Sequence, residues 1–408
     1  RCRAGAGRLR QPGGRFESAT LDWSAELQAD LQAVRQPGRD PTVLQRLGER
    51  LRGFLASTSW AQSESQISAA VRAGRGVVIA VRSAAAELYT LPWELLVLRE
   101  TGQHLGELPG VLLRYEWPGL QPLPEPATPD GARREDGRIL FAWSAAGGAV
   151  PAGEQAAAIR GRLSSQSPLY LRGRDILPNA SFARIAAQLA SARQAGEPFS
   201  VLHLLCHGGQ NGQQSGLILD GESAGDGPAW INPGRLRQLL APFAGSLSLV
   251  VLCACESGNS GPLGNQLGSI AQVLHRVGIP QVIASRFPLS VPGSTRFTGA
   301  FYAQLLDEVV SSEAAFLAAR NAVALDAQQI DWASVQLYQS SSLGDDNRPI
   351  TLRPYRGLLA FGPEHQRFFF GRDREIREIE SDARALLQHG RPRLLAVDGA
   401  SGTGKSSV

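Results

Sequence analysis

Between residues 139 and 284, short apolar runs alternate with helix-like stretches, and this alternation limits the fold more than any other feature of the chain. The runs are Ile139 to Trp143, Phe199 to Cys206, Leu247 to Cys253 and Gln281 to Ala284. Amphipathic patterns near 154–164, 181–194, 233–240 and 264–277 separate or flank them. Short apolar runs bounded by turn residues suit strands buried on both faces. Alternation of such strands with helices predicts an α/β fold with a mostly parallel central sheet between two helical layers.

The flanks read differently. Trp23, Leu27, Leu31 and Val34 recur at helical spacing up to the break at Pro37-Gly38. Asp40 before Pro41 is a helix start, because the carboxylate caps and proline tolerates the first turn; Val43, Leu44, Leu47, Leu51 and Leu55 carry the stripe to about Ala56. From Gly76 the character changes, with strand-like Val77 to Val81 and Val111 to Tyr115 and an apolar, aromatic Pro92 to Leu98 between them. Prolines 118, 122, 124, 126 and 129 cannot pair in a sheet and suit an exposed loop. Helices are expected around 294–310 and 312–325, then an edge strand at Trp332 to Tyr338 and a polar linker from Ser340. The division expected is a helical region at 1–75, an α/β domain at 76–339, a linker at 340–352 and a new unit at 353–408.

Composition narrows the function classes. With 43% hydrophobic and 19% charged residues the chain is no disordered polymer. A net charge of +4 from 41 basic and 37 acidic residues is too small an excess to predict a nucleic-acid or membrane partner. No apolar stretch suffices for a spanning helix, and the basic start RCRAGAGRLRQPGGR lacks the apolar run of a secretory signal. Cys2, Cys206, Cys253 and Cys255 make no disulfide framework in so long a chain, so the expected setting is the reducing cytoplasm. With no methionine, a start at Arg1 and an end inside a loop motif, the chain reads as a fragment.

Two of the apolar runs end in chemistry. VLHLLCHGG closes at His207-Gly208, and LVVLCACESG closes at Cys255, 48 residues later. In open α/β sheets, ligands and catalytic groups gather at the carboxyl ends of strands. If the two strands are parallel neighbours, His207 and Cys255 leave the same edge. A free thiol is only slightly ionised at neutral pH, so an imidazole is needed to take its proton and later protonate a leaving amine. Amides at Gly208 and Cys255 would serve a developing oxyanion. His203, Cys206 and Cys253 read as buried packing groups. A zinc site among these residues is disfavoured, because the spacing fits no familiar finger and successive strand residues face opposite ways. Asp220, in LILDG, reads either as a turn residue or as an acid that orients the histidine.

The segment from about Leu88 to Tyr338 resembles a CHAT peptidase domain, the bacterial caspase-like and separase-like family. The resemblance is carried by PWELL at 92–96, His207-Gly208, Ala254-Cys255 with Ser257-Gly258, the Gly278-Ile279-Pro280 turn and DWASVQLY at 331–338. It implies a caspase-like three-layer fold, His207 as general base and acid and Cys255 as nucleophile. Caspases show the same histidine-before-cysteine order at a similar spacing. Arg286-Phe287 stand where many members carry a tryptophan near the substrate pocket, which leaves the substrate preference open.

The C-terminus carries a second motif. After the strand-like RLLAVD, the sequence GASGTGKS from Gly399 to Ser406 fits the phosphate-binding loop in full. The nucleotide-binding candidates are Gly399, Gly402, Gly404, Lys405, Ser406 and Ser407, with Lys405, the only lysine of the chain, reaching the terminal phosphates and Ser406 a magnesium ion. Pro354 to Ile376 resembles the entry segment of STAND-type signalling ATPases. ATP and Mg²⁺ are therefore the cofactors expected of a complete ATPase unit and none is expected for the peptidase; 55 residues should bind nucleotide weakly at most. The reading is a cysteine endopeptidase fused to an ATP-binding switch that acts on a protein substrate and self-assembles through the ATPase unit. The competing readings are an inactive caspase-like platform on a signalling ATPase and a metal-binding redox module.

Overall fold

A computed structural model describes residues 5–10, 16–36, 40–82, 86–116, 137–162, 169–171, 173–211, 214–223, 225–254, 269–308, 311–325, 330–339, 371–387 and 395–398. The N-terminal part holds β1 (Gly5–Arg10) and β2 (Phe16–Leu21), then α1 (Ala25–Ala33), α2 (Pro41–Leu55) and α3 (Trp60–Arg72). The body follows with β3 (Val77–Arg82), β4 (Val111–Glu116), β5 (Gly137–Trp143), α4 (Ala152–Arg160), β6 (Leu169–Tyr170), β7 (Ile176–Leu177), α5 (Phe182–Gln194) and β8 (Val201–Leu205). Next come β9 (His207–Asn211), β10 (Gln214–Leu219), β11 (Ala229–Ile231), α6 (Pro233–Leu240), β12 (Leu249–Cys253), α7 (Ile270–Arg276) and β13 (Gln281–Ser285). The body ends with α8 (Val291–Ala303), a π-helical turn (Gln304–Glu308), α9 (Ser312–Ala324), α10 (Asp331–Ser334) and β14 (Val335–Gln339); α11 (Asp373–Leu387) lies beyond it.

The expected central sheet is present. Its nine strands run in the order β3-β4-β14-β13-β12-β8-β5-β6, with β7 also on β5. From β13 through β12 and β8 to β5, β6 and β7 all pairings are parallel. The residues of β8 and β13 are all buried, as the continuous apolar runs require of strands covered on both faces. Two groups of helices supply that cover: α4, α8 and α9 pack together, and α5, α6 and α7 form the other group. This is the caspase-like three-layer arrangement.

The strand near residue 335 is not at an edge. β14 lies inside the sheet, antiparallel to β13 along five residues and parallel to β4 at Tyr338 and Tyr115, while Trp332 belongs to the short α10 before it. Burial of every β14 residue follows from strands on both sides and was hidden by a polar-apolar alternation that looks half-exposed in sequence. The strands at the ends of the order are β6 and β3, and the residues of β3 alternate between half-buried and exposed.

The N-terminal region is more than helices, since β1 and β2 pair antiparallel from Gly5 opposite Leu21 to Arg10 opposite Phe16. It also shares the core of the body. A side-chain carbon on Gly48 of α2 would come within 2.3 Å of Leu95 O and 2.4 Å of Val97, so only glycine lets this helix settle on the PWELL segment. Buried Glu64 of α3 accepts from the Arg99 backbone N–H. Asp40 caps α2 as expected, its Oδ1 accepting from Thr42 N–H at 2.9 Å.

Candidate active site

Adjacent parallel strands set up the site. β8 and β12 are neighbours with Leu205 opposite Cys253, and Cys206 N–H donates to Cys253 O across the same end at 3.3 Å. His207 is two residues past Leu205, as Cys255 is two residues past Cys253. Cys255 lies outside the described residues, as do Ser257, Gly258 and all of the nucleotide loop, Gly399, Gly402, Gly404, Lys405, Ser406 and Ser407.

His207 and Gly208 are described. His207 opens β9 opposite Ile218 of β10, and Gly208 pairs with Leu217 without using a positive φ. β9, β10 and β11 form a small separate sheet, and β9 begins two residues after the carboxyl end of β8. The other wall beside the imidazole is the loop after β5, where Gly147 has φ 90° and Gly148 φ 146°. A carbon substituent on Gly148 would lie 3.2 Å from His207 Nε2, and one on Gly147 would lie 3.5 Å from Ile218 and 3.7 Å from His207 Cβ. The glycines thus let backbone approach the ring closely. Among the described residues, His207 Nε2 is buried without a hydrogen-bond partner, as is Asp220 Oδ2. Asp220 therefore does not orient the histidine through that oxygen; its N–H donates to Ala180 O at the end of β10.

The other histidine and thiol of these strands are packing groups. His203 is fully buried, with Nε2 against Gln155 Oε1 at 2.9 Å and Nδ1 against Tyr302 Oη at 3.2 Å. A neutral ring that donates to the amide oxygen and accepts from the phenol satisfies both contacts, and burial pushes its pKa down to about 3. Cys253 lies with Sγ 3.9 Å from Thr298 Oγ1, and burial pushes its thiol up to about 12, which removes it as a nucleophile at neutral pH. Cys206 is buried. Among the described residues no group of three or more His, Cys, Asp or Glu side chains could hold a metal ion.

Arg286, one residue past β13, is committed to the core. It is 1% exposed, with Nη1 donating to Glu94 Oε2 at 2.9 Å and Nη2 donating to Tyr115 Oη at 3.0 Å and Tyr89 O at 3.2 Å. Glu94 Oε1 accepts from Tyr115 O–H at 2.7 Å. The glutamate of PWELL therefore neutralises this cation, so Arg286 does not present a free charge to a substrate. Asp331 of DWASVQLY is equally structural, since it accepts from Ser290 N–H and O–H at the start of α8 and leaves no room for a side chain at Gly293.

Sequence reading missed two features at this edge. One is the Gly147-Gly148 wall, signalled by a glycine pair directly after a strand. The other is Ser285, whose hydroxyl donates to Ala254 O; nothing local in the sequence joins residues 31 apart.

A CHAT domain family model matches residues 55–341, and a Novel STAND NTPase 1 model matches residues 354–408. The chain belongs to the CHAT domain family. The CHAT match covers the whole sheet together with α3, and the STAND NTPase region begins after β14. Among solved structures, the chain is similar to the Arg-specific cysteine proteinase gingipain R, with 9% identity, a TM-score of 0.40 and coverage of 79% of this chain and 74% of that one. It is also similar to separase in the Saccharomyces cerevisiae separase–securin complex, with 11% identity, a TM-score of 0.38 and coverage of 65% and 15%. A secreted C11 cysteine protease from Bacteroides thetaiotaomicron gives 14% identity, a TM-score of 0.32 and coverage of 47% and 59%. No curated protein matches. No helix among the described residues is long and apolar enough to cross a membrane.

Proposed function

We propose that this CHAT domain is a cysteine endopeptidase with a His207–Cys255 dyad. The observation that carries the reading is the register of β8 and β12, in which His207 and Cys255 follow paired residues by the same two steps at one edge of a parallel sheet. Supporting it, His207 Nε2 has no partner among the described residues and stands beside a wall of backbone, while Cys253 and His203 are chemically silent.

In the proposed mechanism Cys255 Sγ gives its proton to His207 and attacks the peptide carbonyl. Amides near Gly208 and Cys255 hold the tetrahedral oxyanion. Collapse breaks the C–N bond as His207 protonates the departing amine, and water, deprotonated by the same imidazole, then releases the acyl group. The Gly399–Ser406 loop would bind ATP with Mg²⁺ in a complete NTPase unit, and the fusion would place proteolysis under an assembling, nucleotide-dependent switch in bacterial signalling or defence. The substrate is a protein.

A thiol-directed activity probe tests the reading on the purified chain. Cys255 should be labelled faster than a free cysteine, and His207→Ala should abolish the excess rate. Labelling of Cys255 no faster than free cysteine, or indifferent to His207, would assign the domain to a platform role instead.

A further inference from the structure

We propose that Trp230 and Ile218 form an apolar subsite beside His207, which receives the side chain of the substrate residue directly after the scissile bond. This deepens the peptidase reading by naming what is selected on the leaving-group side, and it rests on that reading.

Register puts the three side chains in one row. Ile218 of β10 lies opposite His207 of β9 on one side and opposite Trp230 of β11 on the other. Residues directly opposite one another in antiparallel strands share a face. Close approaches agree, since a carbon on Gly147 would meet both Ile218, at 3.5 Å, and His207 Cβ, at 3.7 Å. The reverse face of the same small sheet carries Leu217, Leu219 and Ile231, all fully buried. An antiparallel sheet with one buried face ordinarily turns polar residues outward on the other. Here the outward residues in line with the imidazole are an isoleucine and a tryptophan, both half-buried.

Both lie down on glycine. A carbon on Gly216 would come within 2.5 Å of Trp230 Cε2 and Nε1, and one on Gly209, its partner across the ladder, within 3.0 Å of Ile218 Cδ1. The indole thus turns its nitrogen edge toward the sheet, and Nε1 is buried without a hydrogen-bond partner among the described residues. Nε1 is the only polar atom of the side chain, so what Trp230 shows to solvent is carbon. Such a floor accepts an apolar side chain and disfavours a polar one, which would lose water and find no partner.

The chemistry fixes which substrate residue meets this floor. His207 must hydrogen-bond the departing amine in order to protonate it. That nitrogen belongs to the residue after the scissile bond, whose side chain branches from the carbon bonded to it. Ile218 stands on the next strand, roughly 4.8 Å from β9, within reach of such a side chain.

Running the leaving-group step backwards on the 408-residue chain tests this. p-Nitrophenyl acetate transfers its acetyl group to the Cys255 thiolate and releases p-nitrophenolate. An added amine then attacks the thioester carbonyl and gives a proton to His207 as the thiolate leaves. Leucine amide and asparagine amide have nearly the same shape and differ in polarity. After correction for their reactions with a free thioester, leucine amide should capture the acetyl group about tenfold faster or more. Trp230→Ala and Ile218→Thr should each cut this preference severalfold, and Trp230→Phe should keep most of it. The two disruptive variants lie on different strands, so either can be read if the other does not fold. No capture by leucine amide, equal capture of the two amines, or a preference unmoved in the variants overturns the proposal. A wild-type Cys255 acylated no faster than free cysteine instead overturns the peptidase reading on which it rests.

Discussion

At the scale of single residues, strand position separates His203, enclosed in the core, from His207, which opens β9 beyond the end of β8. His203 and His207 are four residues apart, yet one is enclosed by Gln155, Tyr302 and Phe141 and the other faces the glycine wall. That division was legible in part, because His203 has only apolar neighbours in the chain and His207 is followed by glycines. The partners of His203 were not, since Gln155 and Tyr302 come from distant helices. Burial also makes the buried histidines acid-sensitive. His203 and His275 are held at about 3 and about 4, below the ordinary value of 6.5, so at neutral pH both states are neutral and neither group opposes folding. As pH falls below about 6.5 the unfolded chain takes up protons that the folded one refuses, and stability drops by up to about 1.4 kcal/mol per pH unit for each histidine until the folded values are reached. Urea titrations between pH 7 and 4 should show this slope, and His203→Gln should reduce it by about one proton's worth. An unchanged slope in that variant would mean that His203 is not held neutral.

At the scale of elements, the PWELL turn and the end of β13 are joined by the buried pair of Glu94 and Arg286. Removing one partner leaves an uncompensated charge in the core, so Arg286→Leu should cost about 3–5 kcal/mol. Glu94→Leu combined with Arg286→Leu should recover much of that loss, because an apolar pair of similar volume carries no desolvation cost. Equilibrium unfolding of the two single variants and the double variant checks this; additive losses would show that the pair is not coupled. Local patterns marked the Asp40 cap of α2 and the parallel strands β5, β8, β12 and β13. They failed for β9–β11, where HGGQN and its neighbours carry too little apolar alternation to mark strands, and for α3, whose stripe is thin. They also failed for the place of β14, because strand order is decided by pairing across the sheet and leaves no trace in spacing.

At the scale of the whole molecule, the N-terminal helices and the sheet bury one continuous apolar cluster that includes Leu47, Leu51 and Trp60 together with Trp93, Leu95 and Val111. The boundary drawn at residue 75 from the change of pattern thus runs through shared core, and the family match beginning at residue 55 crosses it too. Deletion of residues 1–54 should expose Trp93 and Leu95 and leave a chain that unfolds without a cooperative transition or aggregates. Calorimetry checks this, and a sharp transition near the intact temperature would show that the first two helices are dispensable. Sheet order has another outcome. β3 and β4, made early, reach the parallel block only through β14, and residues 335–339 are the last of the domain to be synthesised. A chain extended only to residue 334 therefore still lacks the strand that joins β3 and β4 to the parallel block, and the sheet is continuous only once residues 335–339 are added.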